Sequence, residues 1–360
     1  MPRPAITIEA LPAGYGDALL VTCARRRGVW TALIDTGPDE CWPLLAARLA
    51  GLPRNRRGER VIDLAVISHI DHDHIGGAAA LFSDTALRLR FADVWFNAPY
   101  QPGRRGVVEG ETLAGILGAV APKLPWNRAW SGQWAVTPAD TPYVELPGDA
   151  DRPRITLLSP SPARLQSLFR RWTKELAALR SWQAPVIAAT PRGVTSLDLE
   201  TLAKKVTAVD RAVANGSSIA FLLEHRGASV LLLADAHPTV VLPALRALAA
   251  ARGQPLPWRL DTIKLSHHGS RANTTADLLR VVQADHYIVS TNGVIFGHPD
   301  DEAIARAVVL GGRDAKLWFN YRTERTAKWT KAGLLAGYGC EPVWPTESAG
   351  GVAIDLRGRR

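Results

Sequence analysis

The sequence predicts a layered mixed fold of the α/β (α+β) class, with strands inside and helices outside. Three observations predict it. The chain opens on three short apolar segments separated by turn residues, further short apolar segments recur towards its end, and 47% of its 360 residues are hydrophobic, enough for one large core. One domain over residues 1–360 is expected.

Taken in order, residues 5–9, 18–23 and 30–35 read as a β-meander, with the Gly-rich PAGYG before the second strand and Thr36-Gly37 closing the third. A helix follows over residues 42–49. The apolar run VIDLAVIS, residues 61–68, reads as one buried strand that delivers its C-terminal end to HIDHDHIGG. Further strands are expected at residues 91–96, 155–158, 219–224, 229–234, 262–265 and 287–290, with GGVAIDL, residues 350–356, as a closing strand. Between residues 161 and 182, Leu165, Leu168, Phe169, Trp172, Leu176 and Leu179 recur at helical spacing, while Arg164, Arg170, Arg171 and Lys174 fall on the other side. That pattern is an amphipathic basic helix. After APVIAATPRG, the residues Leu199, Leu202, Val206, Val209 and Val213 repeat at spacings of three and four behind a Thr195/Asp198 capping pattern, which predicts a second helix. The pair reads as an inserted helical hairpin over residues 161–214, or else as two ordinary outer-layer helices.

Net charge is +9, and its distribution is uneven: residues 161–214 hold nine Lys/Arg against four Asp/Glu, and residues 311–360 nine against five. A polyanionic partner, nucleic acid first, fits that asymmetry, as does solubilising charge on exposed helices. A protein partner docking on the basic helices is a further expectation. Three cysteines at no metal-ligand spacing exclude a disulfide framework and point to a reducing compartment, the cytoplasm. The opening MPRPAITIEALPAG has no apolar run of the signal-peptide kind, and no stretch approaches the ~20 apolar residues of a membrane span, so no membrane partner is expected.

Chemistry concentrates in SHIDHDHIGG. Within six residues stand His69, Asp71, His72, Asp73 and His74, a density of imidazole and carboxylate that a divalent cation relieves by binding several at once. PAGYGDA lacks the glycine spacing of a nucleotide-binding loop, and no Gly-x-Ser-x-Gly element occurs.

Residues 69–74 resemble the H-x-H-x-D-H motif of the metallo-β-lactamase fold, in the variant H-x-D-x-D-H with Asp71 at the middle histidine. LIDTG (residues 33–37), LLLADA (231–236) and LSHHGS (265–270) are similar to the motifs that follow in that family, in its order. PAGYGDALLV and the late Gly297-His298-Pro299 are similar to the hydrolase domain of ComEC-type DNA-uptake competence proteins. The resemblance covers roughly residues 6–298; residues 161–214 have no counterpart in it. It implies a four-layer αββα sandwich, two mixed sheets face to face with helices outside. It implies one or two divalent ions, manganese ahead of zinc, the first held by His69 and Asp71, the second by Asp73, His74 and His267, with Asp235 bridging. Asp35 is expected to orient the metal loop. No histidine stands where the fold usually supplies a third ligand to the first ion; Asn215 and Ser217 of NGSS fall near that position. His225, His237 and His286 are expected to be structural, and His72 to lie outside the ligand set.

The expected function is a metal-dependent hydrolase, a nuclease or phosphodiesterase using a hydroxide held between two cations. Its catalytic residues would be Asp73, His268 and His298, with substrate bound by Asn215, Ser217, Ser270, Arg164, Arg170, Arg171 and Lys174. A hydrolase of a small ester, lactone or thioester is the first alternative. A nucleic-acid or partner-binding module in a defence or DNA-processing system is the second.

Overall fold

In the computed structural model, which describes residues 3–99, 124–183, 198–330, 333–346 and 350–358, alternation along the strands sorts the apolar residues into three layers. β1 (Ile6–Ala10), β2 (Leu19–Ala24) and β3 (Val29–Ile34) form the expected meander, followed by α1 (Trp42–Ala50). The run at 61–68 does not stay one strand. It divides into β4 (Arg60–Ile62) and β5 (Leu64–Val66), because the Asp63 carboxylate between them accepts from the Thr31 N–H (2.9 Å) and from Arg25 (2.8 Å). α2 (His72–Ile75) and α3 (Ala78–Ser83) come next, then β6 (Leu89–Phe91), which pairs with β4, and β7 (Val94–Trp95), which pairs with β5.

The second half runs through β8 (Val144–Leu146), β9 (Arg154–Ser159), α4 (Pro162–Arg180), α5 (Leu199–Lys204), α6 (Val213–Gly216), β10 (Ala220–His225), β11 (Ala228–Leu232) and α7 (Pro238–Ala251). It continues with β12 (Trp258–Lys264), α8 (Ala276–Val281), β13 (Val282–Val289), α9 (Asp301–Leu310), β14 (Lys316–Phe319), α10 (Glu324–Ala327) and β15 (Glu341–Val343). β16 (Val352–Leu356) is the expected closing strand and pairs antiparallel with β1. The two large sheets have the orders β16-β1-β2-β3-β5-β7 and β15-β14-β13-β12-β11-β10-β9-β8, and β4 and β6 form a separate two-stranded sheet.

Ile6, Ile8, Val21 and Ala32 of the first sheet meet Ile155, Leu157, Phe221 and Leu223 of the second in the central cluster. Their neighbours along the strands, such as Leu20 and Leu33, face outward under α1 and α3, while Leu222 and Leu231 face outward under α7 and α9. The order helices, sheet, sheet, helices is a mixed α/β sandwich, and it explains why the strands read as nearly continuous apolar runs. Among the described residues no helix is long and apolar enough to cross a membrane.

The segment at 161–214 departs from the hairpin reading. α4 buries Leu165, Leu168, Trp172 and Leu176 in the outer cluster of the first sheet. α5 instead buries Leu199 and Ala203 in the outer cluster of the second sheet and packs against α9. The second helix also ends at Lys204, short of the expected Val213. Arg306 of α9, only 2% exposed, takes the Lys205 carbonyl (2.7 Å) and Thr207 Oγ1 (3.1 Å), which holds the chain extended past the helix. Val206 is therefore 94% exposed despite its helical spacing. Thr195 of the expected cap lies outside the described residues.

This arrangement sets two stability effects apart. Val206→Asp should change unfolding free energy by less than about 0.5 kcal/mol, and Leu199→Ala should cost about 2–5 kcal/mol. Urea titration of both variants checks it; a large loss from Val206→Asp would restore the longer helix.

Candidate metal centre

Strands β3, β5, β11, β12 and β13 run parallel to at least one neighbour, and their C-terminal ends open at one edge of the sandwich. The motifs singled out in the sequence sit in the turns that follow them. Four non-glycine residues there adopt left-handed backbone: Asp35 (φ 59°), Ala234 (φ 44°), His267 (φ 50°) and His268 (φ 54°). Such conformations cost of order 1–3 kcal/mol each and persist where surrounding structure fixes them. Gly16 of PAGYGDA explains the glycine there: a Cβ would lie 1.9 Å from the Asp73 carbonyl, to which the Asp17 N–H donates at 3.0 Å. That loop is packed against the metal motif.

Four imidazoles are pinned from outside. His74 Nδ1 donates to Asp35 Oδ2 (2.8 Å), and Asp35 also accepts from the Ser68 N–H (2.6 Å) and hydroxyl (2.7 Å). With its hydrogen so committed, Ser68 Oγ accepts from His69 Nδ1 (3.0 Å). His268 Nδ1 donates to the Ser290 carbonyl (2.8 Å), and His267 Nδ1 to Asn273 Oδ1 (3.1 Å). Every Nε2 therefore faces inward as the second nitrogen of a ring oriented by the first, the arrangement of metal-binding histidines.

Asp235, 1% exposed, is the hub. Its Oδ2 lies 3.6 Å from His267 Nε2 and 3.8 Å from His69 Nε2, and its Oδ1 lies 3.3 Å from His74 Nε2. Asp73 Oδ2 lies 3.0 Å from His268 Nε2 and 3.9 Å from His74 Nε2, and Asp71 Oδ2 lies 3.6 Å from His69 Nε2. His69 Nε2, His74 Nε2 and Asp235 Oδ1 are buried with no hydrogen-bond partner. The His268–Asp73 contact at 3.0 Å is a hydrogen bond; two ligand atoms each about 2.1 Å from one cation at a tetrahedral angle lie about 3.4 Å apart, which the longer spacings around Asp235 fit better than hydrogen bonds. Asp17 belongs to the same cluster, but its carboxylate is already paired with the buried Lys264.

The histidine pair of LSHHGS divides differently from the family-derived expectation. His268, rather than His267, reaches Asp73, while His267 meets the Asp235 oxygen that also faces His69. His267 thus stands where the first position lacked a third donor. Asn215 lies behind it, its Nδ2 3.4 Å from His267 Nδ1 and donating to Asp210 Oδ2 (2.7 Å). Asp210 itself went unnoticed in the sequence. It accepts from Asn215, Asn273 (3.0 Å) and the Ala212 N–H (2.8 Å), and lies 3.5 Å from His267 Nδ1.

The other expected residues are placed as follows. The Ser217 hydroxyl donates to the Ala214 carbonyl (2.6 Å), and Ser270 Oγ accepts from the Ala272 N–H (3.3 Å), so both are engaged by local backbone. His298 is partly buried, its ring centroid 5.1 Å from that of His267 and its Nδ1 3.5 Å from Asp300. Arg170, Arg171 and Lys174 are exposed, while Arg164 leaves that face and donates to Thr239 (3.3 Å). His72 points away from the cluster: its Nδ1 is 3.1 Å from the Tyr15 hydroxyl, and its ring stacks on Trp182 at 4.3 Å. His225 Nε2 donates to the Ala24 carbonyl (2.7 Å), and His286 Nδ1 accepts from Trp318 (3.1 Å). His237 is buried with neither nitrogen hydrogen-bonded.

Electrostatics follow from this crowding. Burial acts against charge on His74, yet Asp235, Asp73 and Asp35 outweigh it and raise its pKa well above the ordinary histidine range. Burial likewise opposes Asp17 and Asp235 at His268, whose pKa is nonetheless raised to about 9, and Asp235 and Asp210 raise that of His267. Asp235 is held well below the usual carboxylate range: burial works the other way, and His267, His74 and His268 prevail. Burial lowers the pKa of His298 and outweighs Asp300, which acts to raise it.

Residues 13–103 match the family model described as the metallo-beta-lactamase superfamily. Among curated proteins, none matches this chain. Of solved structures, the metallo-beta-lactamase fold protein YhfI from Bacillus subtilis aligns at 10% identity over 97% of this chain and 99% of its own, with a TM-score of 0.41. CmlA, a diiron beta-hydroxylase from Streptomyces venezuelae, aligns at 13% identity over 99% of this chain and 55% of its own, with a TM-score of 0.39.

Metal uptake at pH 7 should release protons, because imidazoles with raised pKa must lose them before Nε2 can bind. Calorimetric heats of zinc binding should therefore differ between buffers of small and large ionisation enthalpy; equal heats would show neutral rings beforehand. The raised His268 stabilises the metal-free fold below the ordinary histidine pKa, and that contribution fades as pH rises through about 9. Metal-free protein should accordingly lose thermal stability from about pH 6.5 to 9, and metal should restore it.

Proposed function

Because the chain carries a metallo-β-lactamase superfamily domain across residues 13–103, we propose that it is a metal-dependent phosphodiesterase acting on nucleic acid. That superfamily is generally hydrolytic and metal-dependent. The observation that carries the metal assignment is the convergence of four Nε2 atoms on Asp235 and Asp73. In this reading His69, Asp71 and His267 would hold one cation and Asp73, His74 and His268 another, with Asp235 near both. Bound there, a divalent cation supplies Lewis acidity, neutralising charge on phosphoryl oxygens and acidifying water. Four imidazoles and three carboxylates make the donor set softer than the sequence reading had it, so zinc suits it at least as well as manganese.

The chain's own groups complete the chemistry. Asp35, Ser290 and Asn273 hold the imidazoles in the binding tautomer, so no reorganisation is needed when substrate arrives. His298, whose pKa burial lowers and whose ring adjoins His267, would accept a proton from the substrate side.

Nucleic acid is favoured by the placement of α4. Its apolar face is fixed to the first sheet, Arg170, Arg171 and Lys174 are exposed, and Trp182 just beyond its end stacks on His72 of the metal loop. The exposed cations of this helix would meet a phosphate backbone, although the exposed carboxylates Asp39 and Glu40 stand beside His72 at the end nearer the metal loop. The likeness of PAGYGDALLV and Gly297-His298-Pro299 to competence-protein hydrolase domains supports the same substrate. Buried, unpaired Cys23, Cys41 and Cys340 support a cytoplasmic location.

Asp73→Ala and Asp235→Ala should each lower hydrolysis to background and reduce bound metal, while circular dichroism stays that of the parent. Full activity in both would overturn the metal assignment. Replacing Arg170, Arg171 and Lys174 by Glu should weaken binding of all sequences alike. The slope of log affinity against log salt should become shallower by roughly 0.7–0.9 per lost contact, with metal content unchanged. Parental binding at every salt concentration would transfer the site to a small ester, lactone or thioester.

A further inference from the structure

Phe296 is 45% exposed, the most exposed Phe, Trp or Tyr among the described residues, and it stands beside the metal centre. Its ring meets Tyr15 edge to face (5.9 Å, 73°) and lies near parallel to His298 (6.5 Å, 29°), which adjoins His267 (5.1 Å). On the far side Tyr15 is covered by Trp182 (5.4 Å, 21°). A row of rings therefore leads from the end of α4 to a metal-facing imidazole, and Phe296 is where that row meets solvent.

The loop that carries Phe296 is held in place. The Asn292 N–H donates to the Gly14 carbonyl (2.8 Å), Asn292 Oδ1 accepts from the Val294 N–H (3.0 Å), and the Thr291 N–H donates to Asn320 (2.8 Å). Gly293 (φ 75°) and Gly297 (φ 69°) make the turns on either side, and at both a Cβ would lie within 3.3 Å of the Arg325 side chain. Arg325 closes the loop by donating to the Pro299 carbonyl (3.4 Å). An apolar ring fixed in water forgoes burial, whereas a planar ligand laid on its free face recovers it. The Arg325 guanidinium adds positive charge beside the same loop, as a ligand joining a flat ring to a phosphate requires.

We propose that Phe296 is a stacking platform for a nucleobase of the substrate, placing that nucleotide's phosphate towards the metal centre. The proposal rests on the phosphodiesterase reading and adds the group that would select nucleotides over bare phosphodiesters.

The test is binding, which does not depend on turnover. Zinc-loaded protein should bind a nucleoside monophosphate roughly tenfold more tightly than ribose 5-phosphate in isothermal titration. Phe296→Ala should abolish that preference while leaving ribose 5-phosphate affinity, zinc content and thermal midpoint unchanged; Phe296→Trp should retain it. Equal affinity of the parent for both ligands, or a preference that survives Phe296→Ala, overturns the proposal. If the preference is present and lost in Phe296→Ala while the parent cleaves no oligonucleotide, the stacking platform stands and the phosphodiesterase reading falls. Cleavage of oligonucleotides without any preference has the opposite meaning.

Discussion

Four carboxylates, those of Asp17, Asp35, Asp73 and Asp235, are buried together at one edge of the sandwich, none more than 5% exposed. Buried charge is tolerated only when opposite charge or hydrogen bonds meet it. Asp35 is met by two donors from Ser68 and one from His74. Asp17 is met by Lys264, itself fully buried, across the two sheets. Asp73 and Asp235 have imidazole nitrogens as their nearest side-chain partners, and those rings are turned so that the hydrogen-bearing Nδ1 is spent elsewhere. The remaining positive charge has to come between the groups, as protons in the free protein or as cations in the loaded one. That requirement governs the turns around the site.

Meeting it needs side chains from separate strands aimed at one point, and ordinary turns do not provide that aim. The left-handed backbone at Asp35 and Ala234 follows directly from strand ends that must send the next side chain back over the sheet edge. At His267 and His268 two successive left-handed residues splay adjacent rings, their centroids 5.9 Å apart and planes 74° apart. One sequence doublet thereby aims one ring at Asp235 and the other at Asp73. The three layers of packed apolar residues supply the stability against which such strain is set.

What the sequence made legible was local. HIDHDHIGG, LIDTG, LLLADA and LSHHGS each pack their polar residues into a few positions after an apolar strand, so the strand end and the polar cluster announce each other. The division of labour between His267 and His268 depends on backbone dihedrals, which spacing does not encode. The contacts of Asp210 with His267 and Asn273, of Lys264 with Asp17 and of Tyr15 with His72 and Trp182 span dozens to hundreds of residues, so no local spacing marks them. The longer second helix failed for a related reason: Leu199 to Val213 has the right periodicity, but the Arg306 guanidinium captures the backbone after Lys205. Asp63 interrupts an apolar run in the same way, a single carboxylate answering to Arg25 and Thr31 rather than to the strand.

The segment at 161–214 therefore has two separable mechanical roles. α4 is attached through Leu165, Leu168, Trp172 and Leu176, which lie on the face opposite Arg170, Arg171 and Lys174, so its surface charge is independent of what holds it down. The coil beyond α5 is not independent. Arg306 fixes it at Lys205 and Thr207, and three residues later Asp210 reaches the Asn215, Asn273 and His267 group behind the metal-facing nitrogens. A change in the exposed helix face is thus confined to what approaches from solvent, whereas a change in the coil is transmitted through Asp210 to the tilt of an imidazole.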